Sequence, residues 1–286
     1  MGLVSEKVML KVQNHNYNVL QALSFQGKPK GGIFYGVELE LEIGKSRVVV
    51  PVPKPDEEGY CCYSCHPPGM TRWKEPSQDE EILYVEKILG DFVCLKEDGS
   101  LKFGLEIVSA PASLQVHRNR WKGFFDTIPK TFKSAKNCGL HIHVSKEPLT
   151  HEQQWRVHQF VNSPTNKEFI KRIAGRGSGQ YCERKCKSIQ EVTDESTKGA
   201  GQYPYSRKYG AVNLLPKDSL EVRIFASTTS YQTFMERLEF TAAMVQWVKE
   251  ENPLKEQLLS STLREWIEGQ EKIYPAFTTW LKEQRG

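Results

Sequence analysis

From Val37 to Glu42 the chain alternates apolar and acidic residues, Val37-Glu38-Leu39-Glu40-Leu41-Glu42. No other feature constrains the fold as tightly, because successive side chains on a β-strand point to opposite faces, whereas a helix repeats about every 3.6 residues. The period of two predicts a strand over residues 33–42 with one face lined by Glu38, Glu40 and Glu42.

The same reading places further strands at 48–52, 92–95, 102–109, 138–145, 212–214 and 220–225. Helical spacing or composition marks 79–89, 116–134, 151–162, 166–174, 231–250 and 254–284. Pro51 makes the 48–52 segment an edge strand, since proline cannot donate to an inner ladder. The Pro-, Gly- and Cys-rich run at 53–69 reads as a loop, and 175–209, rich in Gly, Ser, Lys and Tyr, as a long loop or lid. With no internal repeat, the expected fold class is α+β: a strand-rich first two thirds followed by a helical C-terminus.

A chain of 286 residues is long enough for a full core and sits near the size at which one core divides. The expectation is one catalytic domain over 1–286 with insertions near 53–78 and 175–209. Hydrophobic residues make up 38% and charged residues 26%, and no stretch approaches the roughly 18 apolar residues of a membrane helix. The N-terminal residues lack a secretory pattern, and Glu6 stands where a myristoylation motif has Ser or Thr, so a soluble cytoplasmic protein without a membrane partner is expected. A net charge of +4, with no block of consecutive basic residues, does not indicate nucleic acid.

Four strand-like segments present ligating groups in otherwise apolar surroundings: Glu38/Glu40/Glu42, Glu106, His141/His143 and Glu221/Arg223. Each alone also fits a solvated sheet face. Together they supply carboxylates, imidazole and guanidinium while avoiding lysine, which suits hard divalent cations that hold phosphates. Magnesium takes carboxylate oxygens, histidine adds a ligand suited to manganese, and an arginine beside them neutralises a transferring phosphoryl group.

The four segments also resemble, in order, the motifs of the amidoligase family within the glutamine synthetase and glutamate-cysteine ligase superfamily. These are Gly36-Val37-Glu38-Leu39-Glu40, Leu105-Glu106-Ile107-Val108-Ser109-Ala110-Pro111, Cys138-Gly139-Leu140-His141-Ile142-His143-Val144 and Leu220-Glu221-Val222-Arg223-Ile224-Phe225. The resemblance implies a curved, mostly antiparallel sheet of glutamine synthetase-like type with packed helices. It implies metal binding by Glu38, Glu40, Glu106, His141 and Glu221, with Arg223 on phosphate and Glu221 and Arg223 as the catalytic pair. His143 and Glu42 are expected one pleat too far from the ions to be ligands.

The implied reaction is ATP- and Mg2+- (or Mn2+-) dependent amide formation through an acyl phosphate. Its carboxylate and amine substrates are of unknown size, from a small molecule to a peptide or protein. No Walker motif is present, so a P-loop is not the nucleotide site. Arg176, Tyr181 and Asn213 are further candidates for nucleotide binding, the run 175–181 being either a donor-rich closing loop or an ordinary surface loop. A metal-dependent hydrolase or phosphoesterase and a catalytically inactive interaction protein are the alternative readings.

The seven cysteines include Cys62-Tyr63-Ser64-Cys65-His66, which formally matches haem attachment but lacks the export signal that chemistry needs. Cys62 and Cys65 with Cys182 and Cys186 have spacings usable for a structural Zn2+ site; reduced, unligated thiols are the other reading.

Overall fold

A computed structural model describes residues 12–13, 23–44, 46–49, 71–74, 78–97, 101, 103–177, 179, 182–198 and 209–284. In chain order its strands are β1 (Val12–Gln13), β2 (Tyr35–Ile43), β3 (Ser46–Val49), β4 (Thr71–Lys74), β5 (Val93–Lys96), β6 (Gly104–Ser109), β7 (Phe132–Lys133), β8 (Gly139–Ser145), β9 (Val212–Asn213) and β10 (Ser219–Ala226). The α-helices are α1 (Gln78–Leu89), α2 (Leu114–Asp126), α3 (His151–Asn162), α4 (Lys167–Ala174), α5 (Ile189–Lys198), α6 (Tyr231–Glu251), α7 (Ser260–Ile267) and α8 (Pro275–Glu283).

Seven strands form one open sheet in the order β1-β5-β6-β2-β8-β10-β9; β7 pairs with the end of β2, and β3 and β4 make a separate two-stranded sheet. Every pairing of these strands is antiparallel except β1 with β5. The class is α+β with a mostly antiparallel sheet and a helical C-terminus.

The alternating strand lies between β6 and β8. Tyr35, Val37, Leu39, Leu41 and Ile43 are buried, and register sets Leu39 against Ile107 on β6 and Leu140 on β8. That apolar face meets the helices. In α6 every residue from Phe234 to Val248 except Glu236 is buried, as a helix enclosed on all sides requires. Phe240 of α6 packs edge-on against Phe225 of β10, and Phe234 lies 4.9 Å from Trp121 of α2.

Some expected elements are shorter than their periodicity suggests. The helix expected at 116–134 ends at Asp126, and β7 occupies residues within it. Pro129 accounts for the break, because the residue before proline avoids helical geometry. The expected helix at 254–284 is two helices, α7 and α8, separated by a left-handed Gly269 and restarted at Pro275. Glu239 of α6 docks the second piece by accepting from the Ala276 and Phe277 amides, exposed at a helix start, while Arg118 pairs with it. Within the expected loop 175–209 stands α5, started by Ser188 and Glu191, which bond each other's backbone N–H reciprocally. That Ser-x-x-Glu capping box is legible in the sequence. Residues 50–70, with the expected loop at 53–69, lie outside the described residues. Among the described residues no helix is long and apolar enough to cross a membrane.

Two helical histidines, His117 of α2 and His158 of α3, are buried in this frame. His117 sits within hydrogen-bonding distance of the Tyr35 carbonyl and accepts from the Trp121 indole. Burial pushes it down to about 4, against the opposing carbonyl contact, and burial with Lys187 beside it pushes His158 to about 3. Both are neutral when folded and take up a proton more readily when unfolded. Their stabilising effect is therefore complete above the ordinary value of 6.5 and is lost as pH falls below it. Urea unfolding should show stability falling below pH 6.5 by up to about 1.4 kcal/mol per pH unit for each histidine. Stability that stays flat between pH 6.5 and 5 would contradict this assignment.

Candidate metal centre

Strand pairing decides which polar residues meet. Glu38 stands opposite His141, Glu40 opposite Glu106, and Glu221 opposite His143. Directly opposed residues share a face, and so do residues two apart on one strand. All six therefore project from the face opposite the apolar one.

His141 is the hub of this face. Its Nδ1 lies 3.2 Å from Glu38 Oε2 and 3.4 Å from Glu221 Oε1, and its Nε2 lies 3.7 Å from Glu40 Oε1. One ligand atom from each of Glu38, His141 and Glu221 falls within 4.8 Å of the others. An ion bonded at about 2.1 Å would draw its donors to within about 4.2 Å, so small side-chain adjustments close the site. Glu40 is anchored by the Gly139 amide, which donates to Oε2. Glu106 stands across from Glu40, one strand farther from His141. Glu42 is placed beyond both, opposite Gly104 and Lys133.

Cations inside the cluster offset part of its charge. Arg223 Nη1 donates to Glu221 Oε1, while Asn213 Nδ2 donates to Glu221 Oε2 at 2.7 Å. His143 Nε2 lies 3.1 Å from Glu38 Oε1 in an electrostatic contact without aligned hydrogen-bond geometry, and its Nδ1 meets Ser219 Oγ at 3.0 Å. Burial would raise the Glu38 carboxyl, but the His143 and His141 imidazoles outweigh it and hold Glu38 well below the ordinary range. Glu221 is lowered likewise, Arg223 overcoming burial, and Glu38 in turn raises His143 despite its burial. Arg223 Nε is buried with no hydrogen-bond partner among the described residues.

Two local features shape the site. A β-bulge in β10, between Val222 and Phe225, sets Arg223 and Ile224 together against His141. Arg176 Nε and Nη2 donate to the Ile224 and Arg223 carbonyls at 3.1 and 2.7 Å. Arg176 thus holds the bulge that aims Arg223, and Asn213 orients Glu221; these are positioning contacts for two residues expected to bind nucleotide. The second feature is Gly139, where an added Cβ would come 2.8 Å from His141 Nε2.

No protein-family model and no curated protein matches this chain. The site is read from its own geometry.

Tyr181, Cys62 and Cys65 lie outside the described residues. Cys182 is buried with its thiol 3.8 Å from the Gly177 carbonyl, and Cys186 is exposed. Among the described residues, neither belongs to a converging group of metal ligands. The sequence pattern does not single out Gly139 or Ser219; a glycine two residues before His141 is the available signal for the first, and nothing local marks the second.

The donor set, carboxylate oxygens with one imidazole, fits Mn2+ or Mg2+. Titration with Mn2+, followed by the loss of its free-ion electron-resonance signal, should show binding that Glu221→Gln abolishes. Gly139→Ala removes no ligand but displaces His141, and should weaken binding about 10- to 100-fold. Undiminished binding by Glu221→Gln would exclude this centre.

Proposed function

We propose that this chain is an ATP- and Mg2+-dependent carbon-nitrogen ligase of the glutamine synthetase-like amidoligase type. The observation that supports it best is the convergence of Glu38, His141 and Glu221 within 4.8 Å, with Arg223 paired to Glu221. A site with more buried carboxylates than cations is built for a cation, and an arginine with an unpartnered Nε is built for an anion beside that cation.

A carboxylate is a poor electrophile at neutral pH. In the proposed reaction a substrate carboxylate oxygen attacks the γ-phosphorus of ATP, the bond to the β,γ-bridging oxygen breaks, and ADP leaves. The amine nitrogen then attacks the carbonyl carbon of the acyl phosphate, loses a proton and expels inorganic phosphate. A divalent cation in the centre supplies neutralisation of phosphate oxygens. Glu38, His141 and Glu221 hold it, with Glu40 and Glu106 adding negative charge at its edge. Arg223 meets charge developing on the transferring phosphoryl group, its direction fixed by the bulge and Arg176. No enzyme nucleophile is required, so the protein contributes position and electrostatics. ATP and Mg2+ make the cytoplasm the compartment this reading implies.

Purified protein should release phosphate from ATP only with Mg2+ or Mn2+, and faster when a carboxylate and an amine from a substrate screen are both present. Arg223→Ala should lose on the order of 100-fold or more in turnover while remaining folded. Arg223→Lys should impair turnover more than nucleotide binding, because it retains the charge but loses the planar fork. With the stimulating acid labelled with 18O, one labelled oxygen should appear in phosphate. Metal-dependent hydrolysis without nucleotide, or label confined to the amide product, would favour the hydrolase reading instead.

A further inference from the structure

Beside the metal centre, on the same face of the sheet, lies a cavity of ≈ 260 Å³ bordered by Glu38 and His143. Its walls include Phe25, Phe34, Val108, Pro111 and Pro216. Phe25 and Phe34 pack edge to face with centroids 4.8 Å apart, and Phe25 is 61% exposed. At about 30 Å³ per water the space equals on the order of nine waters, the size of one amino acid rather than a nucleotide.

Two features show that the space is built rather than left over. Gly36 occupies the middle of a sheet, where its backbone is not in the left-handed region and gives no conformational need for glycine. A Cβ there would meet only the His143 Cβ, at 3.4 Å, so any longer side chain would run into the cavity. Glycine inside a strand marks close approach by another group. The second feature is Lys96, which lines the cavity yet is only 9% exposed, and whose ammonium makes no hydrogen bond or ion pair with any described residue. Lys96 brings a positive charge to the cavity wall, opposite Glu106 on β6. The serines differ: Ser109 and Ser145 accept from the Val37 and Phe34 amides, and Ser219 holds His143.

We propose that this cavity binds a free α-amino acid with an aromatic or branched aliphatic side chain, and that this amino acid is the amine substrate. The α-carboxylate meets Lys96, the side chain rests against Phe25, Phe34 and Val108, and the amino group faces Glu38 at the edge of the metal centre. The binding site stands on the cavity alone; the role as amine substrate rests on the ligase reading.

The full chain is titrated by calorimetry with L-phenylalanine, L-leucine, glycine and L-phenylalaninamide. Phenylalanine or leucine should bind at least tenfold more tightly than glycine, and phenylalanine at least tenfold more tightly than its amide, the difference between a charged and an uncharged partner for Lys96. Lys96→Met should erase the preference for acid over amide, while Gly36→Leu should abolish binding. Gly36→Ala, which adds one methyl group, checks that loss comes from filling the space rather than from misfolding: it should weaken phenylalanine binding while Mn2+ binding persists. No binding by either amino acid, or an acid-over-amide preference that survives Lys96→Met, overturns the site. Amino-acid binding without ATP turnover keeps the site and removes the ligase role, whereas turnover stimulated by amines that ignore Gly36→Leu keeps the ligase and removes the site.

Discussion

Placing carboxylates together on the inner strands of a sheet is the constraint from which the rest of this structure follows. Glu40, Glu106 and Glu221 are each less than a tenth exposed, and moving one such charge out of water costs several kcal/mol unless partners replace the lost solvation. The partners are specific. Arg223 and Asn213 hold Glu221, His143 and His141 hold Glu38, and a backbone amide holds Glu40. The same contacts at a position open to water would count for less, since screening would reduce them. The apolar residues of β2 set the carboxylates at this depth, because Val37, Leu39 and Leu41 must enter the core between β6 and β8.

The bulge in β10 shows how the sheet turns that packing into a directed site. Regular pairing would set one residue of β10 against His141. With two residues there, Glu221 and Val222 keep the register of His143 and Ile142 while Phe225 still reaches the core opposite Leu140. The carbonyls released from the ladder need donors, and Arg176 supplies them from the end of α4. A residue outside the sheet thereby fixes the direction of Arg223. The buried Phe225, packed on Phe240, anchors the far side of the same bulge. Core, backbone and site are joined through a stretch of four residues.

Much of this is legible in the sequence alone. The period-two run at Val37–Glu42 and the His-x-His of β8 indicate both the strands and the faces, because face is a local property of extended backbone. The helices with clear caps follow as well: Thr150 and Gln153 form the capping box that opens α3. Periodicity fails at 116–134 and 254–284, where proline and glycine interrupt apolar spacing that continues past them. It also fails at α5, where the capping box is present but lies in a polar stretch. Arg176 and Asn213 stand out for their chemistry, yet their contacts with the bulge and with Glu221 depend on residues far away or across a turn.

The sequence by itself determined which side chains could share a face, since alternation is set by the covalent geometry of each strand. Only the tertiary structure decided that Glu38 meets His141, that Glu221 meets His143, that Gly36 leaves a space and that Lys96 borders it. Those are matters of register between strands distant in the chain, fixed by the joint fit of apolar residues on the opposite face. A one-residue slip would have sent every carboxylate into the core.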